Sequence, residues 1–159
     1  MQIVPENCRL VVYAGGKAES IELPVVRLSD RGMQTEIDSL VAGGAETVLL
    51  ADCRGAEALQ RCDMALSVAE ARAGRDAGSV GIIAAIDSAA GVMRIALLHG
   101  KSARLKGLAW DRQAFSADMA CPVDSAIVDH AWAQLLVAAR AFHLPAYVFA
   151  NQGEQRDSR

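Results

Sequence analysis

Aromatic side chains are scarce: phenylalanine, tyrosine and tryptophan together make up 4% of the chain. The core is therefore aliphatic, and there is no stacking platform for the bases of a single-stranded nucleic acid. Positive charge is not in excess either. The formal net charge is −3, with lysine and arginine scattered, which argues against a nucleic-acid footprint. Cysteine pairs at short spacing are also missing. Cys8, Cys53, Cys62 and Cys121 follow no CxxC pattern and read as reduced core or near-core thiols of a cytoplasmic protein. No apolar run approaches the ~20 residues of a membrane span. The first residues carry neither a basic segment nor a long hydrophobic one, so no signal peptide is read. Ser88, Ser116 and Ser125 lack the setting of a nucleophile elbow, and Gly15-Gly16 is too short for a phosphate loop.

What the chain has is aliphatic residues in short runs. Hydrophobic residues make up 52% of the 159 residues, a length that favours one domain and buries roughly 70% of its unfolded surface. The organising stretch is Val80 to Ala120. An apolar run, Val80 to Ile86, stops at Asp87. A helical pattern follows to Leu98, and a second apolar run, Leu105 to Trp110, stops at Asp111. Continuous apolar runs of this length suit strands buried on both faces of a parallel sheet. The same unit recurs along the chain. Strands are predicted at Arg9 to Ala14, Leu23 to Leu28, Thr47 to Ala51 and Ala146 to Ala150. Helices are predicted from Met33 through Val41, over Leu59 to Ala69, and from a cap at Asp124 or Ser125 to about Phe142, with a helical turn at Phe115 to Asp118. On the second of these, Leu59, Cys62, Leu66 and Ala69 share one face, with Asp63 and Glu70 placed elsewhere.

Strands alternating with helices call for parallel crossovers. The expected fold is α/β, a partial or open (β/α) barrel with about six mostly parallel strands, since a closed eight-stranded barrel typically needs ~200 or more residues. Residues 1–150 form the single domain of this reading and 151–159 a polar tail. An incomplete barrel leaves strand edges and apolar surface to cover, so a homo-oligomer or a partner subunit is expected.

Parallel sheets present their chemistry at the carboxyl ends of the strands. Asp30, Asp52, Asp87, Asp111 and Asn151 occupy those ends. Converging carboxylates can hold a hard cation such as Mg²⁺; an aspartate there can equally cap the next helix, as Asp52 and Asp87 are placed to do. Arg27 lies in an apolar strand, where a guanidinium either grips a substrate carboxylate or pairs with Asp30 or Asp52. His99 and His143 near helix ends and His130 within a helix are too dispersed for a metal cluster.

Several stretches, in order, resemble the HpcH/HpaI aldolase and citrate lyase beta-subunit family. Arg27 in PVVRLSD is similar to its V-R-V-N strand, and LVAGGAETVLLADC to L-x-A-A-G-A-D-G-V-V-L-P-K. IIAAIDSAAGVMRIALL is similar to I-x-x-I-E-T-A-x-G-v, and ARLKGLAWDRQAFSADMA to R-L-x-x-L-x-F-G-x-E-D-F-x-A-D-L-G. The resemblance covers about Leu23 to Ala150. It implies a TIM-type barrel and Mg²⁺-dependent carbon–carbon bond cleavage of oxo-acid or acyl-CoA substrates. By position, Arg27 matches the arginine that binds the substrate carboxylate, Asp87 the metal-binding glutamate, and Asp118 the aspartate of A-D-L-G. Four positions depart: Gln113 and Ala114 stand where the family has two acids, Asp52 where it has a lysine, and Ala90 where it has an arginine. The early D-L-E-D stretch and the last barrel strand have no counterpart. The expected site is therefore an eroded one, in which Asp87, with Asp111 substituting for the lost aspartate, binds Mg²⁺ and Arg27 orients the substrate. The rivals are a non-catalytic subunit or binding module on the same scaffold, and a thiol protein built on Cys53.

Overall fold

The structure is a computed structural model that describes residues 7–12, 20–27 and 33–150. In chain order its elements are β1 (Asn7–Val12), β2 (Ser20–Val26), α1 (Met33–Ala42), β3 (Thr47–Leu50), α2 (Ala56–Ala73) and β4 (Gly81–Ile86). Then follow α3 (Ala89–Arg94) running into a 3-10 turn (Ile95–Leu98), β5 (Leu105–Trp110), α4 (Arg112–Asp118), α5 (Ala126–Ala141) and β6 (Ala146–Phe149). All six predicted strands form, as do the predicted helices. Asp30, Gly15-Gly16 and the 151–159 tail lie outside the described residues.

The strands form one ring in sequence order, β1 to β6. β2 through β6 pair in parallel. β1 is antiparallel to both β2 and β6 and so joins the ends of the sheet. The barrel is partial in strand number, as expected, but it is closed rather than open. The reason is β1: it enters as one arm of a hairpin with β2 and needs no crossover helix to fill the gap. A closed ring has no free strand edge, so the edge argument for assembly falls away. Exposed apolar side chains remain, among them Met64, Met93, Leu97 and Val137.

The strand period of two sorts side chains between two cores. Leu10, Val25, Leu49, Ala51, Ile83 and Ala109 fill the barrel. Their neighbours Val26, Val48, Leu50, Ile82, Ala84 and Leu108 point outward to the helices. β4 is buried along its whole length for this reason. Helices present matching stripes: Ile37, Leu40 and Val41 from α1, and Val128, Ala131, Leu135 and Ala139 from α5. Inside the ring Tyr147 lies against Gly107. A Cβ there would stand 2.5 Å from the tyrosine ring, so glycine is what lets the ring in.

One polar group is built into this apolar frame. Glu70 of α2, which the sequence pattern placed off the apolar face, is fully buried, and so, nearly, is Arg104. Arg104 reaches both carboxylate oxygens of Glu70, at 2.6 and 2.7 Å, and Asp63 at 2.6 Å. It also donates to Ser67 Oγ at 2.9 Å and the Val80 carbonyl at 3.0 Å. Asp63, Ser67 and Glu70 lie four and three residues apart. They form a second, polar stripe on α2 at helical spacing.

The Arg104 guanidinium and the backbone N–H groups of Gly78 and Val80 hold Glu70 well below the usual carboxylate range, at about 2. A depressed folded value means stability that is present above the ordinary glutamate value of 4.5 and lost as pH falls toward about 2. Arg104→Ala leaves Glu70 buried without its cation and is expected to destabilise the fold by roughly 3–5 kcal/mol. Urea denaturation at pH 7 checks this, and a loss under 1 kcal/mol would contradict it.

Candidate active site

The rim at the carboxyl ends of β2 to β5 brings the sequence-predicted residues together. Arg27 follows β2, and its exposed side chain lines the mouth rather than lying buried within the strand. Asp52 follows β3 in a left-handed conformation, φ 53°, which aspartate adopts more readily than most residues. Its N–H donates to Asp87 Oδ2 at 2.8 Å. Its carboxylate accepts from Arg54 Nε at 2.6 Å. Asp111 follows β5 and accepts the Ala114 N–H at 2.9 Å. Asp118 accepts the Ala89 N–H at 2.8 Å and so ties the end of α4 to the start of α3.

The capping expectation is corrected. Neither Asp52 nor Asp87 caps the following helix. Ser88 caps α3, accepting from Gly91 N–H at 3.2 Å, and α2 begins at Gly55 with no side-chain cap. Asp111 is the aspartate that does cap, at α4. Asp52 pairs instead with Arg54. Arg54 was absent from the sequence-based reading, although its position four residues beyond the end of β3 was the available signal. Asp30 and Asn151 lie outside the described residues. The histidines stay off this rim: His99 packs on Phe142, and His130 bonds Gln134 at 2.9 Å within α5.

Asp87 is the least satisfied group on the rim. Its Oδ1 is buried and has no hydrogen-bond partner, an arrangement that folded proteins normally avoid. Burial pushes its carboxyl up from the ordinary aspartate value. The charges of Asp52 and Asp111 push the same way, against the lowering effect of the Asp52 N–H. Two adjoining cavities open here, of about 500 and 410 Å³, and both are lined by Arg27, Ala51, Asp87 and Ala114. Asp111 lines the larger; Asp52, Arg54 and Asp118 line the smaller. Among the described residues no cluster of three or more His, Cys, Asp or Glu is arranged to hold a metal ion. Cys53, beside the rim, is buried, and burial pushes its thiol up to about 11. That disfavours the thiolate a redox role needs.

The profile of HpcH/HpaI aldolase/citrate lyase matches residues 4–156. The chain belongs to this family. A comparison with curated proteins gives no match. Among solved structures, RipC from Yersinia pestis is 21% identical, with a TM-score of 0.64 over 77% of this chain and 54% of that one. CitE from Mycobacterium tuberculosis, solved with magnesium, acetoacetate and coenzyme A, is 18% identical, TM-score 0.57, over 77% of this chain and 43% of that one. A citrate lyase beta subunit from the same organism, solved with oxaloacetate and magnesium, is 18% identical, TM-score 0.58, over 77% and 51%. At these identities the likeness is one of fold. This HpcH/HpaI member spans about half the length of those proteins.

The strain at Asp87 is testable without a ligand. A carboxyl whose folded value is raised penalises the native state once pH passes its ordinary value of 3.8, most fully at neutral pH. Asp87→Asn keeps an oxygen for the Asp52 N–H and removes the buried charge. It is expected to stabilise the chelator-treated protein at pH 7 by about 0.5–2 kcal/mol, as substitutions at functional sites often do. The gain should vanish below the ordinary aspartate value. Thermal melting across pH measures it, and destabilisation at pH 7 would count against this reading.

Proposed function

We propose that the cavity is a remodelled carbon–carbon lyase site that binds a small oxo-acid or acyl-CoA carboxylate beside a weakly held Mg²⁺. One observation carries the reading: Asp87, whose Oδ1 is buried and without a hydrogen-bond partner, lines a cavity that Arg27 and Asp111 also line. An orphaned carboxylate oxygen fits a cation. Mg²⁺ commonly takes only one or two protein carboxylates and keeps waters or substrate oxygens for the rest. Asp87 would hold it, with the Asp111 oxygen not used in capping as second ligand. When bound, Mg²⁺ supplies stabilisation of the negative charge that develops on an enolate oxygen. Arg27 would bind and orient the substrate carboxylate through its paired N–H groups. Ser88, Asp118 and the Asp52 N–H hold the rim in place around them.

The non-catalytic reading is favoured by Ala114. It lines both cavities at the position where the family pattern has an acid, and its N–H already occupies one oxygen of Asp111. Even losses outside the first coordination sphere cost about 10–100-fold in metal affinity. Mg²⁺ binding in calorimetry should therefore be weak and abolished by Asp87→Ala, and it should tighten in the Gln113→Glu, Ala114→Asp double variant. Sub-micromolar binding by the unmodified chain would contradict an eroded site. Carbon–carbon cleavage of oxo-acid or acyl-CoA substrates is expected to be slow. A turnover near the ~10 s⁻¹ typical of enzymes, lost on Asp87→Ala, would overturn the non-catalytic reading.

Assembly into a homo-oligomer in the cytoplasm belongs to the same proposal, supported by the exposed Met64, Met93 and Val137. Light scattering showing a monodisperse monomer at micromolar concentration would remove it.

A further inference from the structure

We infer that the amino-end opening of the barrel is a second binding site, for a short apolar carboxylate. A cavity of about 560 Å³ lies there, at the far end of the barrel from the acid-lined mouth, and Leu23, Thr47, Ile83, Lys106 and Tyr147 help to line it. Pro24 makes the room. Val26 accepts the Ala51 N–H across the seam between β2 and β3, so by strand alternation Pro24 also faces β3. Having no N–H, it cannot carry the ladder below Val25 and Leu49. The lower parts of the two strands separate there and border the cavity on either side.

The register puts hydrogen-bond donors on the inner face of this end and acids on the outer. Thr47 pairs with Gly81 and shares the inward parity of Leu49 and Ala51, which fill the barrel. Lys106 is the extra residue of a β-bulge, since Leu105 pairs with Ile82 and Gly107 with Ile83. Bulges at barrel rims re-aim a side chain. This one lays Lys106 over Gly81, where a Cβ would stand 2.9 Å from Lys106 Cγ and 3.5 Å from Thr47 Oγ1. The Lys106 ammonium donates to the Ala103 carbonyl at 3.3 Å and keeps its other N–H groups for a ligand. Tyr147 pairs with Ala109, yet its ring lies over Gly107, nearer the amino end of β5. That lean directs its hydroxyl toward the opening. Leu23 and Ile83 form an apolar wall beside these donors. Glu22 and Glu46 occupy the alternate, outward positions and are exposed, and Glu22 lies 3.8 Å from Arg9 on the outside of the hairpin. A carboxylate accepts from an ammonium and from hydroxyls alike, and a short aliphatic body suits the wall.

The test adds 4-methylpentanoate, or its uncharged amide 4-methylpentanamide, to the chelator-treated protein. Affinity is read from the backbone amide NMR resonances of Thr47, Lys106 and Tyr147, none of which lines the acid-bearing cavities. The carboxylate should shift these resonances and bind about tenfold or more tightly than the amide, the range expected of one charge-assisted contact. Lys106→Met keeps the aliphatic stem and should erase that preference while leaving the melting temperature unchanged. Lys106→Arg should keep most of it. Resonances at the amino end that do not move, or shifts confined to Arg27, Asp87 and Asp111, overturn the site. Equal affinity for the two ligands, or a preference that survives Lys106→Met, overturns the carboxylate class. Either result leaves the lyase reading as it stands, because that reading concerns the opposite end of the barrel.

Discussion

The grip of Arg104 on Glu70 sets the base of the barrel. Glu70 comes from α2 and also accepts N–H bonds from Gly78 and Val80, just ahead of β4. Arg104 stands immediately before β5, and its carbonyl accepts from Ile82 N–H at 2.7 Å. One ion pair therefore ties a helix to the starting points of two neighbouring strands. Both strands are six residues long, so starting them together ends them together. Asp87 and Asp111 arrive on the same rim because their strands are pinned at the opposite end. The chemistry at the mouth depends on a contact a full strand length away.

The rim itself shows a conflict that an apolar scaffold would not tolerate by accident. Carboxylates crowd a partly dry mouth, one of them with a buried oxygen left unpartnered. The backbone offers partial relief through the N–H groups of Asp52, Ala89 and Ala114, each of which meets one aspartate. An acid at position 114, where Ala114 lines both cavities, would add to the crowding and also to what could hold a divalent ion. Stability and cation affinity pull in opposite directions there.

The elements were legible in the sequence because their patterns are local. Continuous apolar runs closed by aspartate marked the strands, and Leu59, Cys62 and Leu66 marked α2 by spacing alone. What escaped was set by contacts between distant segments. Ring closure depends on β1 pairing on both sides, and nothing in RLVVYA announces an antiparallel partner. Glu70 read as a surface residue because its cation, 34 positions away, sits in what looks like a polar link. The rim acids were found, but not their division of labour. An aspartate at a strand end caps or does not cap according to backbone angles such as φ 53° at Asp52, which the sequence does not print. Arg54 was passed over because its meaning comes from the cavity it faces.

Finally, the ring is uneven around its circumference. Among the described residues, β1 and β2 pair over five positions and β4 and β5 over five. β2 meets β3 over only two, Val25 with Leu49 and Val26 with Leu50. β1 meets β6 over three. The hairpin is thus well knit within itself and lightly stitched to its neighbours on either side. Local opening follows such thin places in the hydrogen-bond ladder. The hairpin is the unit that would swing, and the thinner seam ends beside Arg27 and Asp52. The mouth therefore has one stiff wall, β3 to β5, carrying the acids, and one compliant wall carrying the arginine of β2. Breathing of the barrel would change the gap between them without disturbing either.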